Sequence, residues 1–418
     1  MTLCTQRRVN FQKSFILGFR SLAIGCSVAA MQEEEAIGFR IARIRKARGM
    51  TQRALAERSR VSYSLLTKLE RGLASASTGA IGQIAEALGV DATRLTGPQD
   101  SPEQLHQLVP TIRRALASTD LLADDIEPAP IPELRAQVAQ LGKWRRATKY
   151  DKIGATLPGL VDQLLVTARE EGEPAYALLA DAYRAGNTLA HKLGYSDLSL
   201  TAMDRMEWAA DRSGDPLLVA TSHYLRAAAL NRIGAGKQAM ILLDRTMTDI
   251  EPLIGTDPNA AAVWTALHMR AGTIAATLGD EASSNTHLTE AAEVAERVGD
   301  RVVYETVVGP ANVKLHQIAA AVDLVQPGKA LKIAGSVEFP DGMAAERMAY
   351  YHLDTARAHL VARRPDEAIE ELYAARALAP QHFRASGTVK AAIQTAAQQQ
   401  RRASHGLRAL ANYAGLVD

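Results

Sequence analysis

The sequence predicts an all-α protein, and three observations carry that expectation. Apolar residues make up 47% of the 418 residues but aromatics only 5%, with Ala and Leu dominant; that composition favours helices. Few stretches alternate polar with apolar residues, as a half-buried strand would. Turn signals recur through the second half of the chain at steps near forty residues, each opening a helix. The length allows two or three domains and a large core. No run of 18 uncharged apolar residues occurs, so no membrane span is expected. Both cysteines, Cys4 and Cys26, fall in the first thirty residues, which leaves the remainder without a disulfide framework or a thiolate metal site.

The chain is organised around Thr51 to Gly72, TQRALAERSRVSYSLLTKLERG. It reads as two short helices joined by a tight turn, with Thr51 and Ser62 as N-caps. Leu55 and Ala56 face inward on the first helix, Leu66 and Leu69 on the second, and Val61 plugs the turn. Tyr63, Thr67 and Arg71 recur at four-residue spacing on the outer face of the second helix, beside Ser64 and Lys68. That face is polar, positive and free of acids, as a helix in a DNA major groove needs to be. Residues 36–96 carry eleven Lys/Arg against Glu57, Glu70, Glu86 and Asp91, a balance of +7 in a chain of net charge +2. Such a patch gains affinity for phosphates by counterion release; the rest of the chain is net negative.

Thr51-Gln52, Ala56, Val61-Ser62 and Leu69-Glu70-Arg71-Gly72 resemble the helix-turn-helix of the lambda-repressor-like, or XRE, family. Ile37, Ile41 and Ile44 fit that family's first helix. Ile81, Ile84, Ala85 and Leu88 fit the fourth, and Asp91 to Leu95 a short fifth. The resemblance covers about residues 36–96 and implies a five-helix DNA-binding domain. Arg60 departs from it, standing where the turn usually holds Gly; a side chain in a left-handed turn costs about 1 kcal/mol. Position by position, the resemblance implies that Gln52 contacts a phosphate and braces the recognition helix. It places Ser62, Tyr63, Ser64 and Lys68 toward bases, and Thr67 and Arg71 toward the DNA backbone. Lys68 suits guanine O6/N7 and Tyr63 a thymine methyl, with packing inside the domain as the alternative for Tyr63. Arg43 is a phosphate candidate. Arg45 and Glu70 match a structural pair joining the first helix to the end of the recognition helix.

Residues 1–30 hold three of the six Phe, four basic residues and no acid. They are expected to be a disordered or mis-called extension, with Met31 the favoured start. The DNA-binding domain is placed at 31–97, a helix and linker at 98–131, and a helical regulatory domain at 132–418. Within 98–131, Ser101 caps a helix running to about Ala117 that Pro110 bends, and Asp124 to Pro132 forms an extended, solvated linker.

From Ile131 onward, breaks at Gly194, Gly234, Gly279, Pro327 and Pro365 alternate with a second set at Gly214, Gly255, Gly299, Pro340 and Pro380. That alternation marks stacked helix hairpins. Arg364 to Pro380, RPDEAIEELYAARALAP, resembles the second helix of a tetratricopeptide repeat (TPR), which implies a TPR-like α-solenoid. The arrangement, with Leu178 to Pro216 as its most recognisable stretch, also resembles actinobacterial regulators that join an XRE-type domain to a TPR-like tail. Asn187, Asn231 and Asn312 lie inside long helices, where Asn is a mediocre helix former. They are ligand-binding candidates, with an inter-repeat hydrogen bond as the alternative. No catalytic residue, cofactor or metal site is expected: the ten His are scattered, there is no HExxH, and the Gly-Lys at 236–237 lacks the rest of a P-loop.

The expectation is therefore a cytoplasmic, nucleoid-associated transcription regulator that is not an enzyme. Its partners would be double-stranded DNA bearing an inverted repeat, a second copy of the chain, and a peptide or small-molecule effector, with no membrane. A TPR-type adaptor that binds proteins and recognises little specific DNA is the alternative.

Overall fold

A computed structural model describes residues 36–96, 103–118, 126–400 and 402–416. The expectations for residues 1–30, for Gly97 to Pro102, and for 119–125 of the linker lie outside the described residues. The chain is all-α apart from one β-hairpin among the described residues. No described helix is long and apolar enough to cross a membrane.

The head holds α1 (Ile37–Ala47), α2 (Gln52–Ser59), α3 (Tyr63–Glu70), α4 (Thr78–Ala87) and the short α5 (Thr93–Thr96). Its starts are set by hydroxyl caps. Thr51 accepts from the Ala54 amide (3.1 Å), Ser62 from Leu65 (3.1 Å) and Ser77 from Ala80 (3.2 Å). Ile41, Leu55, Leu66, Ile84 and Leu88 are fully enclosed in its core. Leu65 joins them, giving α3 a broader apolar side than Leu66 and Leu69 alone.

Next come α6 (Glu103–His106) and α7 (Val109–Ala117). One helix bent by Pro110 was expected; there are two, because Pro110 sits in the first turn of α7, where a missing N–H costs nothing. Leu105, Val109, Ile112 and Leu116 pack into the core of the tail. The described end of the expected linker is pinned rather than free: the Ala129 amide donates to Thr167 Oγ1 at 3.1 Å.

The tail runs α8 (Ile131–Arg146), α9 (Tyr150–Glu171), α10 (Glu173–Lys192), α11 (Ser196–Arg212), α12 (Pro216–Arg232), α13 (Gly236–Ile250), α14 (Ala260–Thr277) and α15 (Glu281–Val298). The hairpin β1 (Arg301–Val303) and β2 (Thr306–Val308) follows, then α16 (Pro310–Asp323), α17 (Pro327–Ala334), α18 (Ala345–Val361), α19 (Pro365–Leu378), α20 (Pro380–Ala385), α21 (Gly387–Gln399) and α22 (His405–Tyr413). Neighbouring helices pair as hairpins. Alternate helices also touch, α12 with α14, α14 with α16 and α16 with α18, and α18 touches α21 across two intervening helices. This repeat-like stacking puts α10, α12, α14, α16, α18 and α21 in one inner layer.

The hairpin is the element the sequence reading missed. It pairs Arg301 with Val308 and Val303 with Thr306, and its turn is Tyr304-Glu305. Both turn residues have positive φ, +43° and +57°, which normally calls for Asn or Gly. Buried arginines hold them there: Arg184 donates to the carbonyls of Tyr304 (2.6 Å) and Glu305 (3.0 Å), and Arg145 to that of Glu305 (2.5 Å). The hairpin falls within the 48-residue step from Gly279 to Pro327.

Candidate nucleic-acid interface and the chamber beneath it

The first site is built on α3. Its amino end is fixed by the α2–α3 turn, where Arg60 adopts φ +57°, a left-handed conformation despite its side chain. Its carboxyl end is fixed by Glu70, whose carboxylate accepts from Arg45 Nε (2.6 Å), Arg45 Nη2 (2.8 Å) and Gln52 Nε2 (2.7 Å). Arg45 and Glu70 are almost wholly enclosed. The hydrogen bond that Arg45 donates to Glu70 holds its guanidinium pKa above the ordinary value. One carboxylate thus ties α1, α2 and α3 together, and a charge-assisted fork of this kind fixes orientation closely.

Between those anchors, Tyr63 (48% exposed), Ser64 and Arg71 stand in solvent, and Lys68 is half-exposed. Ser62 is half-buried and spends its oxygen on the helix cap. Thr67 is also half-buried, and its hydroxyl is enclosed without a partner. Arg43 is exposed on α1. Arg53, which the sequence reading passed over, lies 5.8 Å from the centre of the Tyr63 ring and widens the cationic face.

Residues 41–95 match the helix-turn-helix family HTH_3. The chain is also 34% identical over 70 residues to an uncharacterized HTH-type transcriptional regulator, y4dJ, of Sinorhizobium fredii; the match spans 17% of this chain and 91% of that relative. The chain belongs to this helix-turn-helix family.

The helix-turn-helix head is seated on the tail. Helix α4 is buried on two sides, with Thr78 and Glu86 exposed: Ile81 and Ile84 face the head core, while Gly79, Gly82 and Gln83 face α12 and α14. A Cβ on Gly82 would meet the Arg232 carbonyl carbon at 2.7 Å, so only Gly permits this approach. The Gln83 amide, donating to the Gly234 carbonyl (3.0 Å) and accepting from the Gly236 amide (3.1 Å), satisfies both its ends in the α12–α13 turn. Arg357 donates to the Ser75 carbonyl (3.3 Å) and Thr395 to that of Ala74 (3.4 Å). At the two ends of α3, Gly279 lies against the Arg60 carbonyl and Gln398 against Gly72. The tail grips the head while leaving Tyr63, Ser64 and Arg71 open. A signal for this lay in the sequence: α4 carries a single charge, Glu86, in a domain otherwise dense with them, and a helix apolar on more than one side is buried on more than one side.

Behind α4 lies a chamber of about 350 Å3, walled by the inner layer of the tail and by Ser77, Thr78 and Gly79 of the head. Asn187, Asn231 and Asn312 all line it. Asn187 accepts from the Ser199 hydroxyl (2.6 Å) and Asn231 from the Thr277 hydroxyl (3.3 Å), so both make hydrogen bonds between helices. Asn312 donates to the Val307 carbonyl (2.8 Å), while its buried Oδ1 has no partner. The chamber's strongest feature is one the sequence reading did not find: eight Lys/Arg and four Asp/Glu line it, and every acid is already paired. Glu305 meets Arg145 and Arg146, and Glu346 meets Lys192 (3.6 Å) and Arg347 (3.9 Å). Asp323 (2.6 Å) and Asp354 (2.7 Å) flank Arg357.

Proposed function

We propose that this chain is a sequence-specific DNA-binding transcription regulator. It reads its site with the outer face of α3 and is governed through its tail. The observation that carries this reading is the exposure of the acid-free face of α3 in a head gripped by the tail at both ends of that helix. Ser64 and Lys68 read base edges, Lys68 at guanine O6/N7, and Tyr63 packs on a thymine methyl. Arg43, Arg53 and Arg71 position the duplex through phosphates, with Gln52 and Ser62 supporting the amino end of α3. Thr67, with its hydroxyl enclosed, serves packing rather than contact.

The tail is TPR-like in this reading. It pairs two copies of the chain and thereby sets the spacing of two heads, which fits an inverted repeat with half-sites about one helical turn apart. Its effector, a peptide or small molecule, enters the chamber lined by Asn187, Asn231 and Asn312. Because the head itself fills the inner side of the tail, capture of a partner protein there is the weaker reading.

Capture of genomic fragments by the full chain at about 150 mM salt tests the proposal, since that salt suppresses non-specific phosphate binding. The expected result is an enriched inverted-repeat motif. Weak, salt-sensitive retention of all fragments alike would contradict it.

A further inference from the structure

The chamber holds positive charge that no carboxylate among the described residues neutralises. Arg184 is committed to the hairpin carbonyls. Arg232 donates to the Ser199 hydroxyl (3.0 Å) and forms no ion pair among the described residues. Arg270 lies over the Tyr224 ring at 4.4 Å, its Nε enclosed without a partner, and it too forms no ion pair among the described residues. Arg232 and Arg270 come from successive inner helices, α12 and α14, and line one wall together. The surrounding titration follows from this. Burial and then Arg270 lower Arg232 to about 10, and burial followed by Arg270 and Arg347 keeps His316 well below its ordinary value. Gathering like charges in a partly enclosed space is costly unless an anion enters with them.

One further feature points the same way. The amino end of α4, a ten-residue helix, opens onto the same space through Thr78 and Gly79, and a helix amino end favours negative charge.

We propose that the chamber is a binding site for a small, multiply charged anion bearing phosphate or carboxylate groups, with Arg232 and Arg270 as its principal ligands and the amino end of α4 as its contact from the head. The proposal deepens the reading of the tail as the governing part and rests on it. An anion so placed touches head and tail at once. It therefore stabilises the seated head, the arrangement in which α3 is held at both ends. The volume of about 350 Å3 suits a compact metabolite, near the lower end of small-molecule sites.

Titration calorimetry and thermal unfolding of the full chain, without DNA, test the proposal. The probes are sodium pyrophosphate and citrate, with sodium chloride at matched ionic strength as the control. One of the two probes is expected to bind saturably and raise the Tm beyond the control; which one does so separates phosphate from carboxylate chemistry. Arg232→Gln and Arg270→Gln should each weaken that binding at least about tenfold, the range of a charge-assisted hydrogen bond. Each should leave the Tm of the ligand-free protein unchanged or higher, because a repulsion is removed. A merely structural arginine would do the reverse. Failure of both anions to exceed the control, or binding that survives both substitutions, would overturn the proposal. With no DNA in the measurement, that failure stands apart from failure of the genomic capture.

Discussion

In the head, Arg43, Arg53 and Arg71 stand in solvent around α3; in the tail, Arg184 is buried and Arg232 and Arg270 half-buried along the wall of a partly open chamber. The same side chain does two different things. Exposed cations cost little and gain from any polyanion that approaches, so they suit a surface that meets DNA phosphates. Enclosed cations are expensive, so their presence needs a partner. Carboxylates pair five of the eight cations lining the chamber and the hairpin carbonyls hold Arg184, but Arg232 and Arg270 meet no carboxylate among the described residues. Each region also has an arginine locked to carboxylate and backbone together, such as Arg45 in the head and Arg357 in the tail.

Those two locks give the largest expected effects. Glu70→Ala strands the Arg45 guanidinium, and Arg357→Ala strands Asp323 and Asp354. Each should cost about 3–5 kcal/mol in chemical denaturation, the range for breaking a buried pair. The variants should differ in kind. Glu70→Ala frees α3 within a head still seated on the tail, whereas Arg357→Ala also loosens the seat at Ser75. Equal loss of hydrogen-exchange protection in both regions by either variant would erase the distinction.

Gly82→Ala separates head from tail more cleanly. The new methyl meets the Arg232 carbonyl, and overpacking of this kind costs about 1–3 kcal/mol. The head should unseat while its own core remains intact. Small-angle scattering would read this as an increased radius of gyration; an unchanged radius would mean the seat tolerates the methyl.

Acid should weaken the tail before the head. Burial and neighbouring cations keep His191, His316 and His382 well below their ordinary values. The unfolded chain takes up protons near pH 6.5 that the folded chain refuses, so stability is full above that pH and falls below it, by about 1.4 kcal/mol per pH unit for each such group. Glu346 follows at lower pH. Burial pushes its pKa up, but Arg347, Lys192 and Arg145 outweigh burial and hold it at about 2. Its contribution is present above the ordinary carboxylate value and is lost as pH falls toward about 2. Urea midpoints measured from pH 8 downward should show His316→Gln flattening the upper part of the decline and Glu346→Gln the lower.

The smallest effect belongs to the turn before α3. Arg60→Gly removes a side chain held at φ +57° and should stabilise the head by about 1 kcal/mol. A thermal shift of the opposite sign would mean that the Arg60 side chain contributes more than its backbone strain costs.

The same comparison explains what could be read from the sequence. The caps at Thr51 and Ser62 and the apolar spacing around Leu55, Leu66 and Leu69 are local, so twenty residues suffice to recognise them. The Gly and Pro punctuation of the tail is local too, and every break it marks falls between helices or at the first residue of one. The chamber is different: Asn187, Asn231, Arg270 and Asn312 meet only because successive hairpins stack, and no spacing within one hairpin announces it. The hairpin at 301–308 was invisible for another reason. Tyr304-Glu305 lacks the turn chemistry expected at positive φ, and the arginines that hold it come from α8 and α10, far back in the chain. Pro110 misled because its meaning depends on whether a helix has already begun.

The central claim is that sequence preference resides on the outer face of α3 while the tail holds that face outward. It is tested most directly by the affinity of the full chain for a captured motif relative to a scrambled duplex, compared between the wild type and a Ser64→Ala/Lys68→Ala variant. The account predicts that the ratio collapses to roughly one while binding to the scrambled duplex changes little, since base contacts specify and phosphate contacts do not. An unchanged ratio would contradict it and move the reading surface elsewhere in the molecule.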